Sequence, residues 1–499
     1  MEYGRTSDKK QGSQKVYRES ETYIVPKITG NAGGGKVCPS ISSEKRETWT
    51  THGGRRPMET KLNRIAEMAR EDKQMKFTSL AHLLNVENLT QCHRELPIGK
   101  ATGVLGETKE SYGMNLRENI GRLVEEMKNK QYRPVPVRRA YIPKDDKGNK
   151  RPLGIPEHED KIVQRCIAKI LNAIYEQDFL DSSFGFRPNR NCHDALKILN
   201  VYIEKRNINY IVDVDIASYF DRIDHKWMME FLSHRIADSS LLRIIGRFLK
   251  GGYVEEAKKY KTLEGAPQGG LISPIMSNIY LHYVLDLWFE KHVRQRCRGE
   301  AYIVRYADDF VCCFEYEEEA QAFYIALKGR LEKFGLEVSE NKTKIIPFGR
   351  RAEEESQKTK GSKPATFDFL GFTHYCSKSQ RGAFRVKRKT SNKKLRIKLK
   401  QWKQWVKKNR HMNMVDIMKR LKRSLTGYYN YYCITDNSNA VTLFMNKTIK
   451  ILFKWMNRRS QRKSFTWEKF QLFLARHPLP KPYIKVSIYD LRNHISYIL

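Results

Sequence analysis

The chain has 499 residues, of which 40% are hydrophobic and 11% aromatic, enough apolar material for a sizeable core and against global disorder. Lys and Arg number 93 against 56 Asp and Glu, and a net charge of +37 repels itself unless a polyanion neutralises it. Nucleic acid is therefore the expected partner, ahead of an anionic membrane surface. Nine cysteines without a Cys-x-x-Cys pair argue against a disulfide scaffold or a zinc-finger framework. No apolar run reaches the roughly 18 residues of a membrane span, and the first residues lack the apolar core of a signal peptide.

Residues 1–57 hold eight glycines and no apolar periodicity, and are expected to form a flexible arm. Within it, Gly30 to Lys36 nearly fits a phosphate-binding loop, but Val37 stands where a metal-binding hydroxyl is needed. From Thr60 to Leu96 the spacing of Leu62, Ile65, Met68, Leu80, Leu83 and Leu84 predicts helices. Residues 141–156 read as a basic hairpin around Lys147-Gly148-Asn149. Two apolar strands follow, Ile208 to Ile216 and Tyr302 to Phe314, with a helical segment and the Gly265-Ala-Pro-Gln-Gly-Gly270 loop between them. Alternating strands and helices predict an α+β core. Between positions 381 and 465 there are 25 Lys and Arg and only two acids, Asp416 and Asp436, so this stretch reads as a separate, mostly helical basic domain.

In so basic a chain, acids within apolar strands are conspicuous. Asp213 and Asp215 lie two apart on one strand and so share a face. Asp308 and Asp309 join two apolar runs, and carboxylates there are costly unless cations bind. Two-metal phosphoryl transfer needs such a site: Mg²⁺ takes one or two carboxylates plus substrate phosphates, and two ions about 3.5–4 Å apart serve the 3′-hydroxyl and the pyrophosphate. A hairpin turn rich in Asp is the competing account of Asp308-Asp309.

Tyr306-Ala-Asp-Asp309, with Asp215-Ile-Ala-Ser-Tyr-Phe220 as a first metal motif, resembles the signature of reverse transcriptases. Arg151-Pro-Leu-Gly-Ile-Pro156, Phe184-Gly-Phe-Arg-Pro188, Gly265 to Pro274, Gly335 to Lys344, Phe369-Leu-Gly-Phe372 and Gly427-Tyr-Tyr-Asn-Tyr-Tyr432 extend the likeness, in order, over about 60–490. The series is similar to the group II intron-encoded reverse transcriptase/maturase family of bacterial type. That resemblance implies a right-hand polymerase of α+β class, with fingers and palm followed by a mainly α-helical thumb, or domain X. The boundaries it implies are an N-terminal extension and fingers at 58–210, a palm at 211–375, a thumb at 376–485 and a tail at 486–499.

The resemblance also implies residue roles. Asp215 and Asp308 would hold two Mg²⁺ ions (Mn²⁺ being the alternative), with Asp309 and the Ile216 carbonyl assisting, and Lys342 would be the general acid for pyrophosphate. Asp213 stands where relatives commonly carry Glu and is read as a structural or outer-sphere acid. Lys144 and Arg151 would grip the incoming deoxynucleoside triphosphate, with Lys147 and Lys150 as substitutes for Lys144. Phe220 would reject a ribose 2′-hydroxyl, with core packing as the competing account, and Gln268 would contact the nucleotide. Arg187, Gly269, Gly270, Tyr306, Leu370 and Gly371 would meet template and primer. Lys393, Lys394, Arg396, Lys398, Arg458 and Arg459 would face intron RNA, because cations grip phosphates without reading sequence. The DNA target or primer is the other expected partner, with no membrane involved.

No cysteine follows Cys433, so the zinc-binding endonuclease of some relatives is expected to be missing, and a nascent strand at a replication fork to serve as primer. The expected setting is the cytoplasm of a bacterium, near the nucleoid, rather than an organelle. The competing functions are a reverse transcriptase recruited to antiphage defence or a CRISPR-linked role, and a catalytically silent splicing factor.

Overall fold

The computed structural model describes residues 58–143, 150–256, 258–260, 264–265, 269–352, 354, 363–459 and 465–492. The arm at 1–57, Lys144, Lys147 and Gln268 lie outside them. Five helices begin the described chain: α1 (Met58–Glu71), α2 (Val86–Glu95), α3 (Lys109–Met114), α4 (Leu116–Lys128) and, after a hairpin, α5 (His158–Tyr175). Side-chain oxygens start two of them: Asn85 accepts from the Asn88 amide at α2, and Thr108 and Ser111 form a reciprocal box at α3. α5 lies in the middle of this layer, buried from Ile162 to Tyr175 along most of its length, with one polar stripe of Lys161, Arg165, Lys169 and Asn172.

The predicted hairpin is β1 (Val137–Pro143) against β2 (Lys150–Ile155); β4 (Tyr253–Glu255) and β5 (Lys258–Tyr260) complete a sheet of order β2-β1-β4-β5. α6 (Cys192–Lys205) then leads to β3 (Tyr210–Asp215). Two helices, α7 (His225–Ser233) and α8 (Ser239–Leu249), precede α9 (Ser273–Leu281). The α9 helix runs on through π-helical turns at His282–Asp286 and Phe289–Val293 into α10 (Arg294–Arg296). β6 (Ala301–Tyr306), β7 (Asp309–Phe314), α11 (Glu317–Lys333) and β8 (Lys344–Pro347) close a second sheet, of order β6-β7-β3-β8.

The third sheet, β11-β10-β9, comprises β9 (Thr366–Phe369), β10 (Phe372–Lys378) and β11 (Phe384–Thr390). Helices α12 (Asn392–Asn409), α13 (Met414–Tyr432), α14 (Ser438–Met456) and α15 (Trp467–Arg476) follow. The basic stretch read as helical from position 381 therefore opens with a strand. In Phe384-Arg-Val-Lys-Arg-Lys-Thr390, Val386, Arg388 and Thr390 alternate inward, a period of two that the charge count concealed.

The β6-β7-β3-β8 sheet is buried on both faces. Val212, Val214, Ile303, Phe310 and Cys312 enter a core shared with α5, α7, α8, α9 and α11. Ile211, Tyr302, Val304, Val311, Cys313 and Ile346 enter a second core shared with α6, the third sheet and α12 to α14. The intended alternation of β3 thus sends Asp213 and Asp215 to the second face, at the end of the strand where packing gives out. The chain is a mixed α/β fold of several sheets and helices, and no described helix is long and apolar enough to cross a membrane.

Two histidines are enclosed where α2 meets α5. His93 Nδ1 and His158 Nε2 lie 3.0 Å apart beside the Tyr112 ring. Burial, then the neighbouring His93, lowers the pKa of His158 to about 4. An unfolded chain takes up a proton near the ordinary histidine value of about 6.5 that the folded chain refuses, so stability falls as pH drops from there toward 4. We expect acidification from pH 7 to 5 to cost on the order of 1–2 kcal/mol through this group, and His158→Gln to flatten the urea midpoint over that interval.

Candidate functional site

The site forms where β3, β6 and β7 end together. Asp215 is paired with Asp309, which is in turn paired with Tyr306, so the two acidic motifs meet at one sheet end. Asp308 sits in the turn between β6 and β7, whose bend is made by Ala307 at φ +60°. The segment after α11 closes over the Asp215 loop: Ala217 N–H donates to Glu337 O (2.8 Å), and Ser339 N–H to Asp215 O (2.8 Å). Ile216 is bridged to Val338. This segment carries Lys342, whose ammonium donates to Asp215 Oδ2 at 2.6 Å.

Desolvation, then repulsion from Asp213, Asp308 and Asp215, raises the pKa of Asp309 to about 7. Asp213 is raised to about 7 by burial, then by Asp368 and Asp215. Asp308 is raised by burial, partly offset by Arg151. Asp368 was missed by sequence reasoning. It lies on β9, accepts from Thr373 Oγ1 (2.5 Å) and Ser391 Oγ (2.7 Å), and reaches Asp213 only because the third sheet folds against the second.

Among the described residues no group of three or more His, Cys, Asp or Glu stands ready-made around a metal position. The donor chemistry nevertheless fits Mg²⁺: every candidate donor is an oxygen, and the carboxylates repel one another until a cation is supplied. Asp215, Asp308, Asp309 and the Ile216 carbonyl are the residues that would hold it, since Mg²⁺ takes its remaining oxygens from phosphates and water.

The other expected residues divide. Arg151 is exposed on β2 and lowers the pKa of Asp308, so its charge faces the acids. Lys150 is also exposed, 5.9 Å above the Tyr141 ring. Phe220 is half-buried in the 3₁₀ turn after Asp215, edge-on to Tyr219 with 5.2 Å between centroids. Gly269, at φ +115°, approaches protein: a Cβ there would stand 2.6 Å from Gly154 O on β2. A Cβ on Gly270 would meet Gln164 Oε1 and Ser273 Oγ at 3.0 Å. Arg187 requires correction. It is 6% exposed, paired with Glu176 (2.8 Å) and donating to Leu180 O and Ser183 O, so its guanidinium is spent inside its own loop and is not offered to a template.

Leu370 (φ +49°) and Gly371 (φ +79°) make the turn between β9 and β10. Tyr431 on α13 donates its hydroxyl to Leu370 O at 2.8 Å, a contact sequence reasoning missed. Tyr306 is half-buried against the same core. Lys393, Lys394, Arg396 and Lys398 are all exposed along α12. Lys394 differs from the others: it lowers the pKa of Asp309, and its Cγ would lie 3.8 Å from a Cβ on Gly371, so it borders the acids. Arg458 is exposed beside the Trp455 ring, whereas Arg459 donates to Met412 O (2.9 Å) and ties α14 to the start of α13.

Two carboxylate motifs on neighbouring antiparallel strands, an ammonium on the first acid, and cations around them define the class of the site: a carboxylate cluster of the kind that serves metal-assisted nucleotidyl transfer, on a strongly basic chain. The comparisons then give the family. Residues 142–374 match the reverse transcriptase (RNA-dependent DNA polymerase) family, and residues 392–473 match the group II intron, maturase-specific domain. The chain is 33% identical over 316 residues to the group II intron-encoded protein LtrA of Lactococcus lactis subsp. cremoris, covering 60% of this chain and 52% of that one. It is 34% identical over 274 residues to the protein YkfC of Escherichia coli (strain K12), covering 49% of this chain and 71% of that one. It is also 31% identical over 232 residues to a putative COX1/OXI3 intron 1 protein of Saccharomyces cerevisiae, covering 46% of this chain and 27% of that one. The chain belongs to the group II intron-encoded reverse transcriptase/maturase family. It spans about half the length of LtrA.

The Lys342–Asp215 contact leads to a prediction. Lys342→Met removes the ammonium but keeps the stem, and should slow single-turnover nucleotide addition by roughly 100-fold. Primer–template affinity, measured by filter binding, should be unchanged.

Proposed function

We propose that this protein is an RNA-directed DNA polymerase that binds its group II intron RNA, assists its splicing and supports intron mobility by target-primed cDNA synthesis. The observation that carries the reading is the pairing of Asp215 with Asp309 across β3 and β7, beside Asp308. In this reading residues 58–210 are N-terminal extension and fingers, 211–375 the palm, and 376–485 the thumb. The maturase-specific match at 392–473 favours an intron RNA over a defence or CRISPR-linked role.

Bound Mg²⁺ would supply activation of the primer 3′-hydroxyl and neutralisation of the departing pyrophosphate. The chain's own residues do the rest. Asp215, Asp308 and Asp309 hold negative charge at fixed positions on a rigid sheet end. Arg151 binds triphosphate oxygens from β2, and Lys342 holds a proton for the pyrophosphate. Phe220 excludes a 2′-hydroxyl from the sugar site. The turn at Leu370-Gly371, backed by Tyr431, orients the primer end. Lys393, Arg396, Lys398 and Arg458 hold RNA phosphates along the exposed side of α12 and the end of α14.

The test is primer extension on an RNA template with Mg²⁺ and deoxynucleotides. Asp308→Asn should lower extension on the order of 10²–10³-fold or more, and RNA affinity should stay within about threefold because phosphate contacts made elsewhere dominate it. Wild-type protein that binds RNA tightly but extends nothing would favour the silent splicing factor.

A second prediction concerns the basic face. The triple substitution Lys393→Gln, Arg396→Gln, Lys398→Gln should reduce the slope of log affinity against log salt by about 2, near 0.7–0.9 per lost phosphate contact. An unchanged slope would remove this face from the RNA interface.

A further inference from the structure

The first four residues of β6 are apolar, Ala301 to Val304, and are followed by a fully buried arginine. Arg305 and its partner Asp286 are both 0% exposed. The guanidinium is paired at both ends: Nε to Asp286 Oδ1 at 2.7 Å and Nη2 to Oδ2 at 2.5 Å. Nη1 donates to Asn278 Oδ1 (3.1 Å) and to the carbonyl of Ala307 (2.9 Å), the residue that bends the chain into Asp308. Burying such a pair costs several kcal/mol of desolvation per ion, and an apolar pair of similar volume is often as stable. Packing alone therefore does not account for it.

Its surroundings point to what it does. Asn278 Nδ2 donates to Gly185 O at 2.7 Å. Gly185 lies so close that a Cβ would fall 2.3 Å from Ala307 N. Phe184 N–H donates to Arg305 O, and Arg305 N–H to Ser182 O, both at 2.8 Å. One residue before Asn278, the Ser277 carbonyl accepts the Tyr219 hydroxyl at 2.9 Å, from the loop that leaves Asp215. Neighbouring positions on α9 thus hold the segments that carry Asp215 and Asp308, from the face of the sheet opposite the carboxylates. A π-helical turn makes this geometry. In a regular α-helix position 286 would lie about 80° around from 278. The wider turn at His282–Asp286 removes most of that offset and brings Asp286 onto the same side as Asn278.

We propose that Arg305, Asp286 and Asn278, with the Tyr219–Ser277 bond, are positioning residues: a clamp that fixes the 306–309 turn against the 215–220 loop and so sets the separation of Asp215 from Asp308. None of them touches substrate. The inference rests on the nucleotide-addition reading above, because the clamp's purpose is the geometry of those acids.

The test compares wild type, the apolar pair Arg305→Met/Asp286→Leu, and Tyr219→Phe in the full chain. The double variant should melt cooperatively, exchange its 306–310 amides about tenfold faster or more, and bind primer–template normally. It should add single nucleotides about 10- to 100-fold more slowly, the cost of misplacing reacting groups. A wild-type rate with unchanged exchange at 306–310 overturns the clamp. If the double variant does not fold, Tyr219→Phe decides: addition about three- to tenfold slower, the worth of one hydrogen bond, supports the clamp, and a wild-type rate overturns it. A wild-type protein that extends no primer removes the polymerase reading instead, and the exchange of 306–310 in either variant still reads the clamp itself.

Discussion

The antiparallel pairing of β3 with β7 sets Asp215 opposite Asp309, and nearly everything else at the open end of the sheet follows from it. A slip of one residue would turn Asp213 and Asp215 toward the core beneath α9 and bring Val212 and Val214 out. The register is held by burial on both faces, since alternate residues of β3 enter two different cores. The carboxylates are thereby gathered at one strand end, where desolvation and mutual repulsion raise the pKa values of Asp213, Asp308 and Asp309. The negative charge gathered there is answered locally by Lys342, Arg151 and Lys394, which come from three separate segments.

Much of this was legible in the sequence. The two acidic motifs lie on apolar, β-branched runs, so strands ending in acids follow from period and composition, and the hairpin at 141–156 follows from its turn residues. The aromatics interleaved with the charges of the basic region are largely core: Trp402, Tyr428, Tyr429, Tyr432 and Trp455 are buried.

What sequence could not give was direction and distance. Arg187 sits in a motif that invites a nucleic-acid role, yet its donors turn inward, which depends on where Glu176 and two carbonyls lie. Gly269 was expected to meet template and primer, and its lack of a side chain also serves the close approach of Gly154 O, which sequence does not show. Asp368 joins the acids only through the packing of one sheet on another. Asp286 reaches Arg305 through a π-helical turn, which apolar periodicity does not reveal in a helix buried all round.

The second core has a consequence for how such a protein can change over time. It takes Ile211, Val304, Val311 and Cys313 from the sheet that bears the acids, and Trp402, Leu421, Tyr429 and Leu452 from the helices that match the maturase-specific domain. The two regions are one hydrophobic body. Deleting either would lay bare the apolar underside of the other, an invitation to aggregate. A lineage with no further use for copying RNA could therefore blunt single acids at the sheet end, but it could not discard the sheet. Obsolete chemistry would persist as architecture.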